Sequence, residues 1–470
     1  EQETEAWMPT PPSVLGAARL RAGGPSQIVG RAERALLREG SVAMICRVNF
    51  ARLVYVHRDM AKKRAPQGLL PFEYVAEPDG DEVTARGGLP LIAEVMQQIG
   101  MPAHCAAIGL KERERGFSEF EMVRAVVLRM ASGGECLDDM RVLREDKALC
   151  ALLGSELPSP DAVRRFLEAF HDQQSVQAHP GKGAWVVPES EELRRLAAVM
   201  TNLVRGVAKN EPVPITTATI DHDATIIESH KVEARAHYEG GRGYQPVISV
   251  WAELGLVVAD EFRDGNVPAG MQNVPLIERA FAALPENVTE RYFRADSACY
   301  EASVLKWLAE PSRKIGFAIS ADMTRELRAV CTAVPGERWT LFEQKDDAER
   351  HVVDVELTPG DWPKDAKPLR YIAIRLTPKQ REFFRDGSSV KYFAVVTNRI
   401  GDAGELVDWH RQKAGTVEHV HDITKNELGA GVMPSGKYGA NAAWYRLAMI
   451  AHDVLVLMKR RVLPPELKDA

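Results

Sequence analysis

An α/β fold preceded by a helical region is what the 470-residue sequence predicts, on three observations. Between Leu89 and Phe170 apolar residues recur at helical spacing. From Pro214 to Phe262 the texture becomes β-rich, and two alternating segments follow one another as an antiparallel pair would. From Asn273 to Ser320 helical and strand patterns alternate. Antiparallel strands followed by alternating helix and strand is the chain order of a ribonuclease-H-like core.

Residues 1–85 read as a basic N-terminal region, partly disordered, with a Pro-rich polar start over 1–16. Ala17 to Met60 reads as mixed helical segments, and Pro66 to Gly88 as an extended stretch turning at Pro78-Asp79-Gly80. Residues 17–66 hold eleven Lys and Arg against Glu33, Glu39 and Asp59, a local +8 in a chain of net charge −6. The remainder is therefore acidic, at −14. Such a stretch suits a nucleic-acid arm and suits a solvated helix pair equally.

Residues 86–178 read as a helical domain. Ser118 and Glu121 make a capping box, Met122, Val123, Val126, Val127 and Met130 follow on one face, and Ser132-Gly133-Gly134 ends the run. A second helix is expected from Leu137 to Leu153. Ser159-Pro160-Asp161 starts a third, whose apolar face is Val163, Phe166, Leu167 and Phe170, leaving Arg164 and Arg165 exposed. Short helices with tight turns suit a helix-turn-helix-like DNA-binding bundle and any other small helical domain.

His179-Pro180-Gly181-Lys182-Gly183 reads as a linker, and a helix from Glu189 to Lys209 stops before Pro212. The α/β core is assigned to 188–320 and 390–465. Its strands are expected within Pro214–Ser229, Tyr244–Leu254, Leu256–Phe262, Arg291–Asp296, Ile315–Ser320 and Tyr392–Thr397, and its helices at Asn273–Ala283 and Ala302–Ala309. Residues 321–389, with β segments Val352–Leu357 and Tyr371–Leu376, read as a β-rich insertion. Two C-terminal helices follow. The apolar run Ala442–Met458 carries Arg446, His452 and Asp453, so it reads as a buried helix and not a membrane span.

Composition excludes several classes. Charged residues at 27% and hydrophobic residues at 45% are ordinary for a soluble globular chain. Six cysteines, Cys46, Cys105, Cys136, Cys150, Cys299 and Cys331, form no C-x-x-C pair, which argues against a structural zinc site and a disulfide scaffold. A cytoplasmic setting is expected.

Three acidic segments carry the chemistry: Ile220-Asp221-His222-Asp223-Ala224-Thr225, Arg294-Ala295-Asp296-Ser297 and Gly415-Thr416-Val417-Glu418. Asp221 and Asp223 are two apart in a strand and share a face, so spacing leaves both open as a metal ligand. Asp296 ends the strand after a crossover helix, where open α/β sheets place functional groups. Glu418 is expected on a helix with Arg411 and Lys425 seven residues to either side, on one face. Gathered by a fold, these carboxylates would bind a pair of hard divalent cations and support phosphoryl transfer. Separately, an Asp-x-Asp is often a local hydrogen-bonding pair, and a Glu between cations a surface ion-pair stripe.

Other residues are read more plainly. His222 alternates onto the opposite strand face, and His419 and His421 do not converge with Glu418. Trp409 and Trp444 read as packing in preference to base stacking. Gly240-Gly241-Arg242-Gly243 precedes a strand, so it reads as a hairpin loop whose Arg242 is placed to meet DNA.

The three segments, with Phe262-Arg263-Asp264-Gly265-Asn266, Asn426-Glu427-Leu428 and Trp444-Tyr445-Arg446-Leu447-Ala448, make the sequence resemble a bacterial insertion-sequence transposase of the DDE class. It is most similar to the branch numbered 1380, related to the branch numbered 4, over about residues 85–460. The resemblance implies a ribonuclease-H-like core with a β-rich insertion before the last acid, a helical DNA-binding region and two Mg²⁺ ions, with Mn²⁺ able to substitute. By position it makes Asp223 the first acid, with Asp221 the alternative, then Asp296 and Glu418. The related branch has a Tyr-x2-Arg-x3-Glu-x6-Lys signature. Glu418-x6-Lys425 fits it, whereas Ala414 stands at the Arg position and Arg411 at the Tyr position, leaving Arg411 or Lys413 to substitute. Implied partners are double-stranded DNA, as terminal inverted repeats and target, and further copies of the chain in a synaptic complex. Alternatives are a related nuclease without strand transfer and a non-catalytic DNA-binding relic.

Overall fold

A computed structural model describes residues 84–110, 116–209, 214–345, 348–360, 362, 367–378 and 388–462. The expectations for the basic region up to residue 83 lie outside the described residues.

Helices open the described chain: α1 (Leu89–Gln98), α2 (Met101–Ala106) and α3 (Glu119–Ala131). The Ser118–Glu121 capping box starts α3, the Ser118 amide donating to Glu121 at 2.7 Å and the Glu121 amide to the Ser118 hydroxyl at 3.2 Å. The helix expected over Leu137–Leu153 is instead three pieces, a 3₁₀ turn at Leu137–Asp139, α4 (Met140–Glu145) and α5 (Lys147–Leu153). Asp146 makes the break. Its ψ of 91° leaves the helical region, and its carboxylate accepts from the Leu149 amide and from Arg86. Cap and ion pair together outweigh one continuous helix. Then come α6 (Pro160–Glu168), capped by Ser159, α7 (Gln173–Gln177) and α8 (Glu191–Lys209).

The core is one nine-stranded mixed sheet. Its strands in chain order are β1 (Thr217–Ala224), β5 (Val247–Trp251), β6 (Leu256–Glu261), β7 (Glu290–Ala295), β8 (Ile315–Ala321), β9 (Thr340–Gln344), β10 (Ala348–Leu357), β11 (Leu369–Pro378) and β12 (Lys391–Thr397). A separate small sheet holds β2 (Ile227–Glu228), β3 (Arg235–Ala236) and β4 (Arg242–Tyr244) in the order β2-β4-β3. The large sheet runs β6-β5-β1-β7-β8-β12-β11-β10-β9. β1, β7 and β8 are parallel neighbours, joined through α9 (Asn273–Ala283) and α10 (Ala302–Ala309), and the other pairings are antiparallel. Residues 321–389 read as an insertion by sequence, yet β9, β10 and β11 extend this sheet across β12, with α11 (Arg325–Ala333) beside them. Ala318, Val352, Ile372, Ile374 and Val395 continue one apolar layer over the junction and pack on Leu406 and Val407 of α12 (Ala403–Arg411).

The chain returns through a 3₁₀ turn (Gln412–Gly415), α13 (Val417–Asn426) and α14 (Tyr438–Arg461). Every residue from Tyr438 to Val454 is buried. This helix packs on β6 and on α1, α3, α6 and α8, so it joins the helical region to the sheet. At Gly439 any side chain would strike the backbone of Phe170 and His171, which is why the crossing tolerates only glycine. Within this layer Arg446 donates to Asp260 at 2.8 Å, to Glu189 at 2.6 Å and to the Leu193 carbonyl at 2.6 Å.

Candidate active site

Parallel pairing of β1 with β7 sets His222 opposite Ala295, so Asp223 and Asp296 leave the sheet at the matching ends of adjacent strands. Asp296 caps the short 3₁₀ turn Ser297–Cys299, accepting from the Ala298 amide at 3.0 Å. Glu418 stands in the first turn of α13, its side chain 57% exposed. Lys413 links the acids: its ammonium lies 3.6 Å from Asp223 and 3.8 Å from Glu418, on a side chain only 10% exposed. Burial raises the Asp223 carboxyl to about 6; Lys413 pulls it down, while Asp296 and Glu418 push it up.

Asp221 is occupied otherwise. Two residues back along both strands, the same register places Arg294 opposite it. Arg294 donates to both its oxygens, at 2.6 and 2.8 Å, and the Thr416 hydroxyl also bonds it. The carboxylate has no exposed surface. Arg294 reaches on to the Trp409 carbonyl at 2.6 Å, while the buried His410 ring bonds the Ala295 carbonyl at 3.0 Å. The segment 409–416 is thereby fastened to the ends of β1 and β7.

Arg411, Glu418 and Lys425 do not form one helical stripe. The helix ends at Arg411 and restarts at Val417, and the intervening 3₁₀ turn changes the phase. Arg411 turns away to Glu343 of β9, at 3.3 Å. Lys425 donates to the Ile226 carbonyl at 2.8 Å and to the Thr225 hydroxyl at 3.3 Å, pinning α13 to the strand end that carries Asp223. Arg242 is exposed, but its guanidinium donates to the Ala234 and Val232 carbonyls and braces the small sheet. Arg164 and Arg165 stand exposed on α6, the former paired with Asp161.

The family model described as Transposase DDE domain group 1 matches residues 73–470. The chain belongs to that family. No curated protein matches it. Among solved structures this transposase is similar to one titled as a cryo-EM structure of the piggyBac transposase synaptic complex with hairpin DNA. The identity is 13% and the TM-score 0.43, over 80% of this chain and 75% of that one.

DDE transposases use divalent metal ions. Among the described residues, no three His, Cys, Asp or Glu side chains converge closely enough to hold one. The donor chemistry nevertheless fits: Asp223, Asp296 and Glu418 offer only hard carboxylate oxygens, and burial, with the other two acids adding to it, raises Asp223 in a way a cation relieves. The histidines are not part of this set. His222 bonds the Ser249 hydroxyl at 2.9 Å, His421 is buried, and burial lowers both to about 3, so both are neutral. His419 is exposed. Trp444 is core, donating to the Gly429 carbonyl under the Arg129 guanidinium, and Trp409 stacks with Arg399 and Arg294.

Three contributors escaped the sequence reading: Arg294, Thr416 and His410. Arg294 stands two residues before Asp296 as Asp221 stands two before Asp223, a signal usable only once the strands are known to be parallel and in register.

Proposed function

We propose that this transposase cleaves the ends of a bacterial insertion sequence and joins them to target DNA, with Asp223, Asp296 and Glu418 as the catalytic and metal-holding acids. The observation that carries the reading is the matched strand-end placement of Asp223 and Asp296, with Glu418 brought to Asp223 through Lys413. Asp223 is favoured over Asp221 as first acid, because Asp221 spends its oxygens on Arg294 and Thr416. The branch numbered 1380 remains the preferred kin, and the order β6-β5-β1-β7-β8 supports a ribonuclease-H-like core.

Two Mg²⁺ ions, or Mn²⁺ in their place, would supply charge neutralisation and an activated oxygen nucleophile for in-line displacement at phosphorus. The chain's own residues do the rest. Asp223 and Asp296 fix two carboxylates at the matching ends of adjacent paired strands, and Glu418 brings a third on α13. The Arg294–Asp221 pair and Lys425 tie the 409–416 segment and α13 to the strands that carry the two aspartates. Exposed Arg164 and Arg165 serve the phosphate backbone, and the helical domain 86–178 binds the terminal repeats. Two or more copies synapse the paired ends.

A strand-transfer assay with paired end DNA and Mg²⁺ tests this. Wild type is expected to cut and join, and Asp296→Ala and Glu418→Ala to lose both activities. Undiminished Mg²⁺-dependent cleavage in either variant would sink the catalytic assignment. Cleavage without joining would favour the nuclease reading.

A further inference from the structure

Lys413 is a charge carried out of bulk water to a place between two acids. Its side chain is 10% exposed, and among the described residues its ion-pair partners are Asp223 and Glu418. Burial of an ammonium is costly unless opposite charge offsets it. Its place is fixed by the backbone: the Thr416 amide donates to the Lys413 carbonyl at 3.1 Å, and Arg294 reaches the Gln412 side chain at 3.3 Å.

The two separations, 3.6 and 3.8 Å, exceed the roughly 2.8 Å of a charge-assisted hydrogen bond. Lys413 is therefore coupled to these acids by charge and is not locked to either oxygen. A Mg²⁺ ion would take the same oxygens at about 2.0–2.1 Å. An ammonium left within about 4 Å of them would face a double positive charge. Its flexible four-carbon stem allows it to withdraw.

Resting on the two-metal reading above, we infer that Lys413 is the resident counter-ion of Asp223 and Glu418 and competes with divalent cation for the space between them. The side chain keeps the acids from repelling one another before metal is present. It also sets the affinity with which they load.

The test is Mn²⁺ binding to the full-length protein without DNA, followed by the electron paramagnetic resonance signal of the free ion. Lys413→Met is expected to tighten binding on the order of tenfold, through removal of one nearby positive charge. Lys413→Arg, which keeps the charge, is expected to bind no more tightly than wild type. In EDTA Lys413→Met should melt below wild type and regain the deficit in Mn²⁺, a rescue that a packing role does not give. Unchanged or weaker Mn²⁺ binding in Lys413→Met, while Asp223→Asn abolishes it, overturns the inference and leaves the two-metal reading standing. Binding that survives both Asp223→Asn and Asp296→Asn overturns the two-metal reading itself.

Discussion

Arg446 and Lys413 each sit among carboxylates, and their surroundings differ in how fully charge is matched. Around Arg446, Asp260 and Glu189 accept at 2.6–3.1 Å, and Arg279 takes the other Glu189 oxygen at 2.9 Å. Burial lowers the Arg446 guanidinium, but Asp260 and Glu189 more than reverse this, and against its own burial the Glu189 carboxyl is held down by Arg446 and Arg279. Around Lys413 one loosely placed cation serves Asp223 and Glu418, and burial, with Asp296 and Glu418 adding to it, drives Asp223 up to about 6. The first group is satisfied without any ligand. The second holds an excess of negative charge that a cation from outside would relieve, the pattern expected where stability has been ceded to chemistry.

The largest effect that tests this contrast is functional. Asp223→Asn should lower Mg²⁺-dependent DNA cleavage on the order of 10²-fold or more while leaving the melting temperature about unchanged, because the like-charge repulsion it relieves offsets the Lys413 pair it weakens. A melting temperature that falls with activity would place Asp223 with the matched group instead. Next come Arg446→Met and Asp221→Asn, each expected to cost about 3–5 kcal/mol in denaturant unfolding, because each strands a buried charged partner. Asp221→Asn that unfolds normally yet fails to cleave would reverse the choice between the two aspartates.

Asp453 offers a smaller and sharper test. It lies in the same buried layer, one oxygen accepting from the Val257 amide at 2.8 Å and the other without a hydrogen-bond partner among the described residues, and burial raises it to about 6. A carboxyl with a raised folded-state pKa is more stabilising protonated, so its contribution is full below about pH 3.8 and is lost as pH rises through about 6. Asp453→Asn should therefore flatten the stability profile across that window and stabilise the protein above pH 7 by at most about 3 kcal/mol. The smallest effect is at Arg164, whose exposed pair with Asp161 is worth less than about 1 kcal/mol. Arg164→Ala should leave unfolding unchanged and, if α6 meets phosphate, reduce the salt slope of DNA binding by about 1.

Much of the fold was legible because local signals were strong. The helices at Asn273–Ala283 and Ala302–Ala309 stand where their apolar spacing and breakers put them, and Ser118 and Ser159 cap where expected. The break at Asp146 was not legible: aspartate is an ordinary residue within a helical pattern, and what ends the helix is a cap combined with a bond to Arg86. The union of 321–389 with the core sheet depends on β8 pairing β12 and β12 pairing β11, which no local pattern encodes. At the site, the acids could be picked out by residue type, but not the company they keep. Lys413 falls between Asp223 and Glu418 only because a 3₁₀ turn resets the helix phase after Arg411.

The burial of α14 bears on how the chain is made. It follows every other described element in sequence, yet α1, α3, α6, α8 and β6 all rest on it. During synthesis those elements leave the ribosome with their apolar faces uncovered, and the Asp260 and Glu189 carboxylates wait for Arg446. A nascent or prematurely terminated chain that already contains Asp223, Asp296 and Glu418 therefore lacks the helix that completes its core. On the proposed reading, competence to cut DNA therefore waits on the synthesis of α14.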